Sequence, residues 1–268
     1  MRKISTIIAL LAFSNFLNAQ FYIRSETGYM FSSNPLKIQS TEVIDYRLTV
    51  NTVSFKYGEG VPLVFSFGYD INSLFGIELS AGAHIFSTYK VSTDRPDITT
   101  LNNFSITGFF GDVKYQSNIF QVAPQMVCHF TKDKITMNVK AGPNFLKSRI
   151  KHKMNYTNWE LDNWEFYPLQ TYEEVEYTTD LNIGLRSSIG IDYQYSSYLS
   201  ICMDLVSSYN RCKVVRGEIT RYDIDGVSHI GDLTSTIEKS DDNTSKVNFS
   251  QVGIIVGVKI RLFGDRVK

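Results

Sequence analysis

The sequence predicts an all-β fold: a transmembrane, antiparallel, up-and-down β-barrel of eight strands, with long extracellular loops and short periplasmic turns. Three observations predict it. Eight segments alternate apolar and non-apolar residues with a period of two. The connections between them alternate strictly between long and short. The non-apolar face carries more charge than a soluble sandwich core can hold.

The opening stretch MRKISTIIALLAFSNFLNAQ has a basic start (Arg2, Lys3), an apolar run from Ile7 to Leu17 and a small residue, Ala19. That is the layout of a secretory signal peptide, so residues 1–19 are expected to be removed and 20–268 to form a single barrel domain. No later apolar run reaches the roughly 20 residues of a spanning helix. Formal charge is zero, with 27 basic and 27 acidic residues, and no basic stripe suggests nucleic acid. The three cysteines, Cys128, Cys202 and Cys212, are too few for a disulfide framework. With Cys202 and Cys212 on one extended strand, roughly 33 Å would separate them, so all three are expected to be free.

Strand by strand, FYIRSETGYMF (21–31) sets Phe21, Ile23, Tyr29 and Phe31 against Arg24 and Glu26. VPLVFSFGYDI and FGIELSAGAHIF, joined by a turn at 72–74, form the second and third strands, with Glu78 and His84 on the non-apolar face. The fourth (120–130) and fifth (135–145) meet at a turn at 131–134, and Lys140 falls inward. LNIGLRSSIGIDYQY (181–195) places Arg186 and Asp192 opposite seven apolar positions, and a turn at 196–197 leads to 198–210, where Asp204 is inward. The eighth strand (248–263) alternates Val252, Ile254, Val256, Val258, Ile260 and Leu262 with Gln251, Gly253, Gly257, Lys259 and Arg261.

The long connections fall at about 32–60, 87–119, 146–180 and 211–247, all at one end. A membrane barrel predicts this segregation and puts both termini on the periplasmic side. Aromatics collect at both strand ends, Tyr69, Tyr193 and Tyr198 at one and Tyr29, Phe31 and Phe249 at the other, as two bilayer interfaces require.

The signal-peptide end NAQ, the three tight turns and the last strand IIVGVKIRLF resemble small eight-stranded outer-membrane proteins of the OmpA/OmpX type. More narrowly, the chain looks like the porin-family or PorT-like barrels of Bacteroidetes. Gly257, Ile260, Leu262 and Phe263 resemble the assembly signal of such proteins, although five residues, GDRVK, follow Phe263. The resemblance implies the outer membrane of a Gram-negative cell, contact with its lipid and lipopolysaccharide, and insertion by the barrel-assembly machinery. It also suggests a subunit of an outer-membrane complex, type IX secretion or gliding being one context.

The inward charges Arg24, Glu26, Glu78, Lys140, Arg186, Asp192, Asp204, Lys259 and Arg261 allow an ion-selective pore or a self-neutralising filling. Eight strands leave room for little beyond side chains, which favours the filling. The resemblance also raises a lipid A deacylase, with a His/Ser pair, or a rim protease. Here His84 and Ser87 take opposite faces, His129 lies near a periplasmic turn, and His152 sits between Lys151 and Lys153 in a solvated basic stretch, so no enzyme is expected.

The third loop, NYTNWELDNWEFYPLQTYEEVEY, is aromatic and acidic and follows Lys147, Arg149, Lys151 and Lys153. Trp159, Trp164, Tyr167 and Tyr172 are candidates for a surface that binds a protein partner or a sugar. The alternative is a hairpin extension closed by the preceding basic residues. YDIDG (222–226) and SDDN (240–243) lack calcium-loop spacing and read as turns. No cofactor or metal is indicated.

Overall fold

Eight antiparallel strands form a ring that closes where the first pairs with the last. A computed structural model describes residues 20–33, 36–44, 47–55, 58–86, 89–97, 107–162, 165–230, 236–238 and 246–262. The signal-peptide stretch 1–19, Trp164, Phe263, GDRVK and the SDDN segment lie outside the described residues. The barrel strands are β1 (Gln20–Ser32), β2 (Gly60–Asp70), β3 (Phe75–Phe86), β4 (Thr107–Lys132), β5 (Ile135–Asp162), β6 (Asn182–Gln194), β7 (Leu199–Tyr209) and β8 (Gln251–Arg261). Each pairs with its chain neighbours, and Tyr22 opposite Arg261 on β8 begins the ladder that completes the circle.

The period of two decides which way each side chain points. Outward positions are apolar and open, as at Phe65 (60 % exposed) and Ile189 (58 %), whereas Arg24 and Lys140 on the other face are 1 % and 2 % exposed. Unlike the core of a sandwich, this interior is the polar side. Its belt of exposed Phe, Ile, Leu, Val and Met matches hydrocarbon rather than water. Two inward glycines make room for large groups: a Cβ on Gly68 would collide with the Tyr22 ring, and one on Gly190 with the Asp204 carboxylate.

The tight turns have local causes. Asn72 Oδ1 accepts hydrogen bonds from the backbone N–H of Leu74 and of Phe75, both at 2.8 Å, an Asx-turn. Between β4 and β5 only Asp133 and Lys134 lie outside the strands, Asp133 at a left-handed φ of 53°. Ser196 Oγ accepts from Leu199 N at 3.1 Å.

At the opposite end the long connections are built largely as strand extensions, as the hairpin alternative for the third of them expects. β4 and β5 run for 26 and 28 residues, against the roughly 9–11 that cross a bilayer. Beyond the membrane level they continue as one sheet with Glu165–Thr179 and Arg211–Ile224. Tyr89–Asp97 pairs with the start of β4, and Leu36–Ile44 forms a hairpin with Arg47–Phe55. Glu165–Thr179 and Arg211–Ile224 carry Val175, Tyr177, Cys212 and Val214 toward the interior and residues such as Glu174, Glu176 and Lys213 outward, the reverse of the membrane-level strands, so an outward apolar face does not reveal them.

Two placements also differ from expectation. Phe249 is fully buried rather than part of the outer aromatic girdle. It has the same parity as Gln251 and therefore points inward, and its N–H donates to the Asn210 carbonyl at 3.0 Å. Cys202 and Cys212 occupy two successive strands, β7 and Arg211–Ile224, rather than one; all three cysteines are free, as expected.

Candidate functional site

The barrel interior is built in layers, set by where each inward residue falls along its strand. In the middle, Arg24 Nη2 lies 2.7 Å from Glu26 Oε1, 3.2 Å from Asp204 Oδ1 and 3.5 Å from Asp192 Oδ1, while its Nη1 is 3.8 Å from Glu78. Lys140 Nζ bridges Glu78 at 3.0 Å and Asp204 at 2.8 Å. The Tyr22 hydroxyl donates to Glu78 at 2.9 Å, and Lys259 Nζ stands 3.7 Å above the Tyr22 ring. Toward the tight turns, Lys259 approaches Asp192 (3.6 Å) and Asp70 (3.9 Å), and Asp70 meets His129 at 2.9 Å. Arg261 Nη1 donates to Ser200 Oγ at 3.4 Å.

Charges this buried persist only when paired, because desolvation costs several kcal/mol per ion. Sequence reasoning missed Asp70, whose inward parity was visible. With it, Arg24, Lys140, Arg186, Lys259 and Arg261 are matched by Glu26, Asp70, Glu78, Asp192 and Asp204, five against five. Arg186 stands apart. It is buried, but among the described residues no carboxylate lies within ion-pair distance of it; its strand neighbours are Gly142 and Ser208. At this level Arg24 and Lys140 are buried and both reach Glu78 and Asp204.

Above the charges lies an uncharged polar layer, where His84 Nε2 is 3.2 Å from Gln121 and its Nδ1 3.5 Å from Gln251. Among the described residues the side-chain partners of His84 are these two amides, and Ser87 lies outside the described residues. Higher still, Ile119, Leu146, Ile150, Cys212 and Phe249 form an apolar cap with Tyr115 and Tyr177. The cap residues lie on inward positions of the strand extensions, which a reading in terms of loops could not assign.

The sheet formed by the strand extensions has two different faces. Outside, Lys151 pairs with Glu176 (3.1 Å), Lys153 with Glu174 (3.1 Å) and Arg149 with Glu176 (3.6 Å), so the basic run closes on the acidic strand. Inside, His152 is not solvated as expected. It is wedged between the rings of Tyr115 and Tyr177, at 4.5 and 4.9 Å, because strand alternation turns it away from Lys151 and Lys153. Burial pushes its imidazole down to about 4.

Tyr172 is already engaged: Arg221 stacks 4.6 Å from its ring, and its hydroxyl donates to Glu174 at 3.2 Å. Trp159 lies opposite Pro168, and Tyr167 opposite Glu160, near the tip of this hairpin. YDIDG is a hairpin turn, with Asp225 and Gly226 at φ 49° and 81°. Gly257, Ile260 and Leu262 sit at the β8 closure, Gly257 facing Glu26 across the seam. Among the described residues no group of His, Cys, Asp and Glu could hold a metal ion.

No protein-family model and no curated sequence matches the chain. Solved structures similar to it include the outer membrane protein OprG from Pseudomonas aeruginosa, at 12 % identity and a TM-score of 0.40, with 92 % of this chain and 97 % of that one covered. CarO2 of Acinetobacter baumannii aligns at 11 % identity and a TM-score of 0.34, over 91 % and 98 % of the two chains. Ail, the attachment invasion locus protein of Yersinia pestis, aligns at 13 % and 0.30, over 91 % and 97 %. The eight-stranded barrel described above stands on its own hydrogen-bonded ring and not on these likenesses.

Proposed function

We propose that the protein is a non-enzymatic outer-membrane barrel that presents its extracellular sheet to a protein partner. The observation that carries this reading is the contrast between the two ends of the same strands. At membrane level the interior is filled by ion-paired side chains around Arg24, whereas β4 and β5 continue far beyond the bilayer into a broad sheet. A filled interior favours a structural or binding role over conduction. The hairpin tip, with Trp159 and Tyr167 on its strands and Trp164 between them, offers the aromatic anchors that binding surfaces favour.

In this reading the sheet is extracellular, both termini are periplasmic, and lipopolysaccharide surrounds the outer leaflet. A subunit role in type IX secretion or gliding is the narrower version, and it rests only on the PorT-like strand pattern. The test is affinity purification from native outer membranes with the wild-type chain and with Trp159→Ala and Trp164→Ala together. Loss of a co-purifying protein supports the reading; an unchanged set of partners counts against the hairpin tip.

A further inference from the structure

The outer wall of the barrel is notched across β1 to β5. The notch has a volume of about 760 Å3, and Phe67, Ile77, Leu79, Met126, Ala141 and Pro143 are among the residues that line it. It lies where the β4 and β5 ladder is interrupted. Pairing runs as far as Val122 with Phe145 and resumes at Met126 with Ala141. The unbroken register sets Pro124 opposite Pro143, and neither has an N–H to donate. Residues 123–125 and 142–144 therefore go unpaired in this ladder.

At Gly142 the two strands stay close, since a Cβ there would run into the Pro124 carbonyl oxygen. Gly142 and the inward residues Glu78 and Gln125 also contribute to the lining. On the far side stands a ridge of stacked rings, Phe21 lying 5.6 Å from Phe67 and 4.8 Å from Tyr69.

We propose that this notch is a binding groove for one acyl chain of a bilayer lipid. The notch is continuous with the apolar belt, so the medium at its mouth is hydrocarbon. Its lining is almost wholly apolar, and its volume falls in the range of small-ligand pockets. Left empty, the ring ridge and the proline pair would face a gap and forfeit dispersion contacts on both sides. A flexible methylene chain fills such an irregular slot, held between the Phe21 and Phe67 rings on one side and Pro124 and Pro143 on the other.

This inference rests on the membrane reading, and the experiment separates the two. The full chain is refolded into phosphatidylcholine vesicles that contain phosphatidylcholine carrying a diazirine in one acyl chain, then irradiated and mapped by peptide mass spectrometry. Labelling at Phe67, Ile77 and Met126 is expected to exceed that at Ile189, Leu205 and Ile254, on the opposite wall, several-fold. Ala141→Trp fills the slot and should lower labelling there to the level of the opposite wall. Ala83→Trp, lipid-facing but outside the notch, should leave the distribution unchanged. Even labelling around the wild-type barrel overturns the groove, whether or not the Ala141 variant folds, and so does persistence of the excess in a folded Ala141→Trp protein. Labelling of neither wall overturns the membrane assignment, and the groove with it.

Discussion

Replacing Lys140 by Met removes the ammonium that sits 3.0 Å from Glu78 and 2.8 Å from Asp204, with little change in side-chain length. Both carboxylates are then left to Arg24, which already contacts Glu26 and Asp192. Removing one partner of a buried ion pair costs about 3–5 kcal/mol, because the remaining charge stays desolvated and uncompensated. At about 1.4 kcal/mol per factor of ten, the unfolded fraction rises by about 10² to 10⁴. Lys140→Met combined with Glu78→Gln restores the balance: Asp204 keeps Arg24 at 3.2 Å, and the Tyr22 hydroxyl can donate to the new amide oxygen. The double variant should recover at least half of the loss. Reversible urea unfolding in phosphatidylcholine vesicles, followed by heat-dependent gel migration and tryptophan fluorescence, measures both. A single variant within about 1 kcal/mol of wild type, the value of an exposed pair, would refute a sealed interior, as would a double variant no better than the single.

Gly68→Leu drives a side chain into the Tyr22 ring and should destabilise the barrel by about 1–3 kcal/mol in the same assay; a neutral effect would mean that the two strands are not in the stated register. The imidazole of His152 titrates near 4 when folded, below its ordinary 6.5. Its contribution to the stability of the sheet of strand extensions is therefore complete above about pH 6.5 and is lost as pH falls toward 4, since the unfolded segment binds the proton first. Protease cleavage between 146 and 180 should accelerate across that window and should lose much of this dependence in His152→Phe; an equal pH response in both proteins refutes the wedge. Cys212 is fully buried and its thiol is pushed up to about 12 by that burial, so a water-soluble maleimide at neutral pH should modify it only after unfolding.

Residue parity was legible throughout the membrane-level strands. Arg24, Glu78, Lys140, Asp192 and Asp204 could each be assigned to the interior from their neighbours alone, because a period of two leaves only two faces to choose between. Asp70 and Phe249 show that the same rule was applied incompletely rather than that it failed: both have inward parity. Harder to read were Glu165–Thr179 and Arg211–Ile224. Their outward positions, such as Lys151's partner Glu176, meet water instead of lipid, while Val175 and Cys212 point inward, so the apolar face is the opposite of the one that marks the membrane-level strands.

By itself, the order of residues determined that lipid covers one side of each strand and charge fills the other. A charged side chain is costly on a strand face exposed to hydrocarbon, and that constraint is written locally. Which charges meet was decided only by the closed ring. Arg24 and Asp204 are 180 positions apart, yet they lie 3.2 Å from each other because register and closure bring β1 and β7 to face the same axis. The opposition of Pro124 and Pro143 is of the same kind. Each proline is unremarkable in its own strand; the alignment of β4 with β5 alone turns the two into a break in the wall.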